Sequence, residues 1–339
     1  MPACHAKVSP PGVILLYLVL PKSPNFTDVL LARRQIRPYL RPTPLYEYPA
    51  LSSLAGTKTW VKHENHQPIG AFKVRGGVNL FAQMPEEERR RGVISASTGN
   101  HGQSICYAAR LFGVRATICV PENANPVKVE SMLAMGARVL RQGRDFDEAR
   151  EFCEQQAREH GYRYIHSGNE PLLVAGVATA TLEALEEQPE LEVLLVPVGG
   201  GSGAAGACLA GKTIKPALRV IGVQSEAAPA AHLSWRQRRV ATSTMNTCAE
   251  GLATRVGFEL PQQILWELLD DFVLVSEEDL RRATYLMVEK TRNLVEPAGA
   301  APLAAALRLK DQLAGKTIGL MCSGGNISPA QLAEILRAH

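Results

Sequence analysis

Short, almost continuously apolar runs recur along the chain, each bounded by glycine, proline or a polar turn. They fall at residues 93–97, 117–120, 138–140, 164–166, 194–198, 220–224, 272–275 and 318–322. Runs this short, without two-residue alternation, predict strands buried on both faces of a mainly parallel sheet. Between them lie stretches with helical spacing and recognisable ends. Pro126 opens one that Gly136 closes, as proline-in, glycine-out capping predicts. Residues 146–160 are polar and amphipathic and stop at Gly161. Ser276 stands before Glu277, Glu278 and Asp279, a cap followed by acids that suit the positive end of a helix. Strand–helix alternation of this kind predicts an α/β protein. There is no internal repeat and no long linker, so a division into domains is expected by insertion.

A chain of 339 residues can bury a large core in one domain or two. Its 46% hydrophobic and 21% charged content is that of a globular protein. The formal charge of +4 is small, and the basic residues are scattered rather than banded, which gives no case for nucleic acid. Residues 86–91 mix three acids with three arginines, and Arg236, Arg238 and Arg239 form a short cluster; both read as solvated surface. The seven cysteines are dispersed and include no Cys-x-x-Cys pair, so no zinc or redox motif is predicted and a reducing, cytoplasmic compartment is expected. Residues 12–20 form an apolar run too short to cross a membrane. Only Lys7 precedes it, which is not a secretory leader; an additional strand, or a start codon placed too early, is the expectation.

Three loops carry candidate chemistry. Gly199, Gly200, Gly201, Ser202 and Gly203 follow the 194–198 strand and precede a helical segment. Bare glycines at that junction let backbone N–H groups approach a phosphate, and the helix N-terminus adds its dipole. Ser97, Thr98, Gly99, Asn100 and His101 stand in the same relation to the 93–97 strand and suit a carboxylate. Ser323 follows the last strand. In open α/β sheets ligands bind at such carboxyl ends. Lys73, between Phe72 and Val74 with a turn expected at Gly76-Gly77, is a candidate Schiff-base amine.

Five motifs occur in order: Gly-Ala-Phe-Lys-Val-Arg-Gly from Gly70, Ser-Thr-Gly-Asn-His-Gly from Ser97, Gly-Gly-Gly-Ser-Gly from Gly199, Glu-Pro-Ala-Gly-Ala from Glu296 and Ser-Gly-Gly-Asn from Ser323. Together they resemble the serine/threonine dehydratase group of fold-type II pyridoxal phosphate enzymes, which includes serine racemase, over the span from about Phe26 to the C-terminus. The resemblance implies a tryptophan synthase β-like architecture of two open, twisted, mainly parallel sheets with flanking helices. A small domain (92–167) would be inserted into a larger cofactor-binding one (1–91 and 168–339). It implies that Lys73 binds pyridoxal 5'-phosphate and then removes the Cα proton of the substrate. Phe72 would pack by the ring and Asn100 would bond its phenolic oxygen. Residues 199–203 would hold the phosphate, Ser323 would face the pyridine nitrogen, and Glu296 would line the ring region. Residues 97–101 would take the substrate carboxylate.

A neutral Ser323 does not force the ring nitrogen to be protonated, which favours β-elimination over transamination. The implied reaction converts a 3-hydroxy amino acid, L-threonine or L-serine by default, to a 2-oxo acid and ammonia. 3-Hydroxyaspartate, a phenylserine-like substrate and racemisation stay open as alternatives, as does a non-catalytic pyridoxal phosphate carrier. Racemases of the group place a serine base where this chain has Thr98, a stiffer β-branched residue. The acids of metal-binding members are absent after the 220–224 strand, where Gln224 and Ala230 stand and Glu226 is the nearby acid, so no divalent metal is expected. The chain ends soon after Ser323, so no C-terminal regulatory domain is expected, and the resemblance implies a homodimer.

Overall fold

The computed structural model describes residues 22–339; the apolar run at 12–20 lies outside them. Ten strands are present among the described residues: β1 (Leu45–Glu47), β2 (Lys58–His63), β3 (Val93–Ala96), β4 (Ala116–Val120), β5 (Arg138–Arg141), β6 (Arg163–Tyr164), β7 (Val193–Pro197), β8 (Arg219–Ser225), β9 (Asp271–Val275) and β10 (Thr317–Cys322). They form a six-stranded sheet ordered β1-β2-β10-β7-β8-β9 and a four-stranded sheet ordered β5-β4-β3-β6. All neighbours run parallel except β1, which pairs antiparallel with β2, Leu45 opposite Lys62.

The larger sheet is buried on both faces, as its continuous apolar strands require. Val193, Leu195, Ile221, Val223, Ile318 and Leu320 join one core with Met287, Ala301 and Leu303 of the Glu277–Thr291 and Pro297–Arg308 helices. The alternate residues Leu194, Val196, Val220 and Met321 join a second core with Val174 and Ala204 of the Pro171–Glu187 and Ser202–Ile214 helices. No helix among the described residues is long and apolar enough to cross a membrane.

The eight predicted strands are all present with ends shifted by a residue or two; only the 164–166 segment contracts to a two-residue strand. The predicted caps are also there. Ser276 and Asp279 exchange side-chain and backbone bonds in a capping box, and Gly161 ends the Phe146–His160 helix in the left-handed conformation. Two strands, β1 and β2, were not predicted. The turn expected at Gly76-Gly77 is also overturned, because both glycines lie inside the Lys73–Ala82 helix. They serve close packing there. A Cβ on Gly76 would stand 2.9 Å from the Leu173 carbonyl oxygen, and one on Gly77 only 2.4 Å from Ser104 Oγ.

Candidate active site

Because β2, β10, β7, β8 and β9 are parallel, their carboxyl ends share one edge of the large sheet. The loops after β7 and β10 meet there with the loop after β3. A cavity of about 510 Å³ opens between them, lined by Phe72, Lys73, Ser97, Thr98, Gly99, Asn100, His101, residues 199–203, Glu296 and Ser323. Every residue proposed from the sequence as a site residue therefore borders one space.

Lys73 is the first residue of its helix, and the preceding segment is clamped to the β10 loop. Phe72 N–H donates to Ser323 O at 3.0 Å, Gly325 N–H donates to Gly70 O at 2.9 Å, and Ala71 and Gly324 form an isolated bridge. Ser104 Oγ donates to Lys73 O at 2.7 Å. The amine itself donates to Ser202 Oγ at 2.8 Å and lies 5.2 Å from the centre of the Phe72 ring. Among the described residues no carboxylate pairs with it. Burial lowers its pKa from 10.5 to about 8, so a useful fraction is neutral near physiological pH.

Two helices begin at this cavity with glycine as the N-cap and no side-chain cap: Ser202–Ile214 after Gly201, and Asn100–Leu111 after Gly99. The first N–H groups of a helix have no partner within it, so these ends offer donors and positive dipole to an anion. Gly201 has φ +94°, the left-handed conformation that glycine adopts without penalty. Ser97 Oγ accepts from Gly99 N–H (3.2 Å) and Gly102 N–H (2.8 Å), and so shapes the second loop with its hydroxyl.

The polar partners around these loops are ordered. Asn326 Nδ2 donates to Ile69 O at 2.8 Å and to Asn100 Oδ1 at 2.7 Å; Asn100 Nδ2 donates to Glu296 Oε1 at 2.8 Å. Burial pushes the Glu296 carboxyl above its ordinary value, opposed by Lys128 and Asn100. Ser95 Oγ donates to Ile165 O at 2.7 Å, so its oxygen accepts from His101 Nε2–H at 2.9 Å. In the neutral ring this puts the proton on Nε2 and leaves Nδ1 without one. Burial, then the Lys73 charge, lowers the His101 pKa well below 6.5, consistent with a neutral ring.

Several lining residues had no signal in the sequence. Lys128, Glu250, Phe258 and Asn246 come from segments outside the three glycine loops. Phe258 lies against the phosphate-loop candidate: a Cβ on Gly200 would be 2.1 Å from its Cε2, and one on Gly168 2.4 Å from its Cδ2. His166 packs edge-on against the same ring at 4.8 Å. His66 lies outside this lining; it bonds Asn293 Oδ1 at 2.6 Å and stacks on His63. The donor set fits pyridoxal phosphate, combining an amine of lowered basicity with two helix starts whose N-cap is a bare glycine and a hydroxyl residue at the third strand end.

Residues 36–324 match the family described as pyridoxal-phosphate dependent enzyme. An L-threo-3-hydroxyaspartate ammonia-lyase of Saccharomyces cerevisiae is 35% identical over 92% of this chain and 96% of its own. An L-threonine ammonia-lyase of Geobacter sulfurreducens is 38% identical, over 92% of this chain and 78% of its own. The crystal structure of serine racemase from Dictyostelium discoideum superposes with a TM-score of 0.85 at 32% identity, covering 90% of this chain and 99% of that one.

Proposed function

Since the chain belongs to the pyridoxal-phosphate dependent enzyme family, as a fold-type II member of its serine/threonine dehydratase group and a pyridoxal phosphate-dependent lyase, we propose that its substrate is a 3-hydroxy amino acid, L-threonine or L-serine in the first place. The products are a 2-oxo acid and ammonia. The observation that carries this reading is the Lys73 amine on Ser202 Oγ, between two helix starts with glycine N-caps and held by backbone bonds to the Ser323 loop.

Pyridoxal phosphate, when bound, supplies an electron sink that makes the substrate Cα–H acidic. Lys73 Nζ would anchor the cofactor and then, freed by the substrate amine, take that Cα proton; its lowered pKa suits it to act as a base near neutrality. The N–H groups at residues 199–203, with the Ser202 hydroxyl, would hold the phosphate. Phe72 and Glu296 would border the ring, Asn100 would donate to its phenolic oxygen through the amide hydrogen not given to Glu296, and Ser323 would meet the pyridine nitrogen. The loop at residues 97–101 would hold the substrate carboxylate. Thr98 would be the only hydroxyl of that loop free of the bonds that occupy Ser97, and is the residue through which a racemase activity would act. We infer likewise that residues 92–167 form a unit inserted into the remainder, closing on substrate to exclude water, and that the protein is a cytoplasmic homodimer. No divalent metal is part of this reading.

The test is 2-oxo acid release over a panel of L-threonine, L-serine, 3-hydroxyaspartate and phenylserine, with D-isomer formation followed in parallel. Turnover of threonine or serine above the others is expected. Preference for 3-hydroxyaspartate would move the assignment to that substrate, and a yellow protein that releases no 2-oxo acid from any of them would refute it. If a D-isomer forms, Thr98→Ala should suppress it and spare elimination.

A further inference from the structure

Lys128 is a second amine in the cavity. It belongs to the Pro126–Ala134 helix beside the four-stranded sheet, and its side chain is only 9% exposed. Its Nζ stands 3.6 Å from where a Cβ on Gly99 would be, at the N-cap of the carboxylate loop. Its ion-pair partner is Glu250, on a short turn (Glu250–Leu252) packed beside the Pro297–Arg308 helix. The two ends of the pair are unequal, because the Glu250 side chain is 49% exposed. Glu296 is the other carboxyl whose protonation Lys128 influences, and it already has Asn100 as donor.

We propose that Lys128 is a substrate-binding residue that pairs with the α-carboxylate of the amino acid, and that Glu250 is its counter-ion while the site is empty. A buried ammonium without a partner is strongly disfavoured. Glu250 supplies a partner before substrate arrives. When the substrate carboxylate settles on the N–H groups of the 97–101 loop it lies beside Gly99, within reach of the Lys128 ammonium. Glu250 is then released to water, where a half-exposed carboxylate is readily solvated. Lys128 never loses its partner, so the exchange avoids the penalty of stranding a buried charge. The inference rests on the assignment of the 97–101 loop to the carboxylate and adds a residue to it.

The experiment uses the holoenzyme and two amines that cannot eliminate, L-alanine and L-alaninamide, with the cofactor's visible absorbance reporting binding. The amide keeps the amine and lacks the anion. Lys128→Met should raise the Kd for L-alanine about tenfold or more, the scale of one charge-assisted hydrogen bond, and leave that for L-alaninamide within about twofold. Lys128→Arg should retain most of the preference for the acid. Glu250→Gln, whose amide oxygen can still accept from the Lys128 ammonium, should tighten L-alanine without tightening the amide, because the competing carboxylate is gone. Equal weakening of both amines by Lys128→Met, or weaker binding of L-alanine by Glu250→Gln, overturns the proposal. If L-alaninamide shifts the wild-type absorbance as strongly as L-alanine does, the site does not read the anion and the proposal falls; a purified wild-type protein without the visible absorbance would instead refute the Lys73 anchor on which it rests.

Discussion

Replacing Arg75 by methionine should destabilise the protein by about 3–5 kcal/mol, the usual consequence of removing one member of a buried ion cluster. Arg75 lies two residues beyond Lys73 and is 1% exposed. Its five N–H donors are all matched: Nε to Glu64 Oε2 (2.7 Å), Nη2 to Glu64 Oε1 (2.8 Å) and Glu183 Oε2 (2.6 Å), Nη1 to Glu183 Oε1 (2.7 Å) and Thr179 Oγ1 (3.1 Å). Lys62 Nζ adds a bond to Glu183 Oε2 at 2.8 Å, so two cations balance two carboxylates and tie β2, the lysine helix and the Pro171–Glu187 helix together. Methionine keeps the volume but leaves Glu64 and Glu183 sharing Lys62, one negative charge too many in a dry site. Burial by itself raises the Glu64 carboxyl; Arg75, with Lys62 and Thr43, reverses this and holds it below its ordinary value. A depressed carboxylate stabilises the fold above its unfolded pKa of about 4.3 and loses that contribution as pH falls through the folded value. In the variant the sign inverts. The Glu64 pKa rises, its contribution is present at low pH and is lost as pH climbs, so the deficit should be larger at pH 8 than at pH 5. Urea unfolding followed by tryptophan fluorescence, with Trp60 on β2 as a reporter, measures both. Adding Glu64→Gln to Arg75→Met should recover part of the loss. A deficit below about 1 kcal/mol, the range of an exposed pair, or one that shrinks with rising pH, would refute the argument.

Lys73→Ala should abolish the visible absorbance of the bound cofactor. In cofactor-free wild type, the rate of loading with pyridoxal phosphate should rise with pH around a midpoint near 8, because only the neutral amine attacks an aldehyde; a midpoint near 10 would mean that burial does not act on this amine. Gly200→Ala forces a methyl into the Phe258 ring. Overpacking of about 1–3 kcal/mol should weaken cofactor affinity in a fluorescence titration by about five- to hundredfold, and Phe258→Ala in the same chain should restore it. Unchanged affinity in the single variant would show that the ring yields freely.

What reads directly from the sequence is local. Apolar runs too short for helices specify β3 to β10, since a strand buried on both faces needs little besides continuous apolar character. Ser276 and Gly136 mark helix ends through bonds made within a few residues, and Gly161 through its left-handed backbone. The glycine loops are legible for the same reason: a strand, bare glycines and a helix in succession create a donor-rich anion site whatever lies elsewhere.

The residues that escaped such reading depend on partners far along the chain. Strand β2 holds Lys62 and His63 and looks like surface, yet Lys62 is buried because Glu183 and Thr43 receive it. Gly76 and Gly77 look like a turn and are instead the contact points of a helix with Leu173 and Ser104. Phe258, Lys128 and Glu250 enter the cavity only through packing of segments far apart in the chain, Lys128 meeting Glu250 and Phe258 meeting His166 by tertiary contact. By itself the sequence determined which segments form strands, where helices end and which amine and loops are candidates for the chemistry, because those depend on neighbours along the backbone. Only the tertiary structure decided which charges are buried, what neutralises them and what walls the cavity, because these are set by groups brought together across the fold.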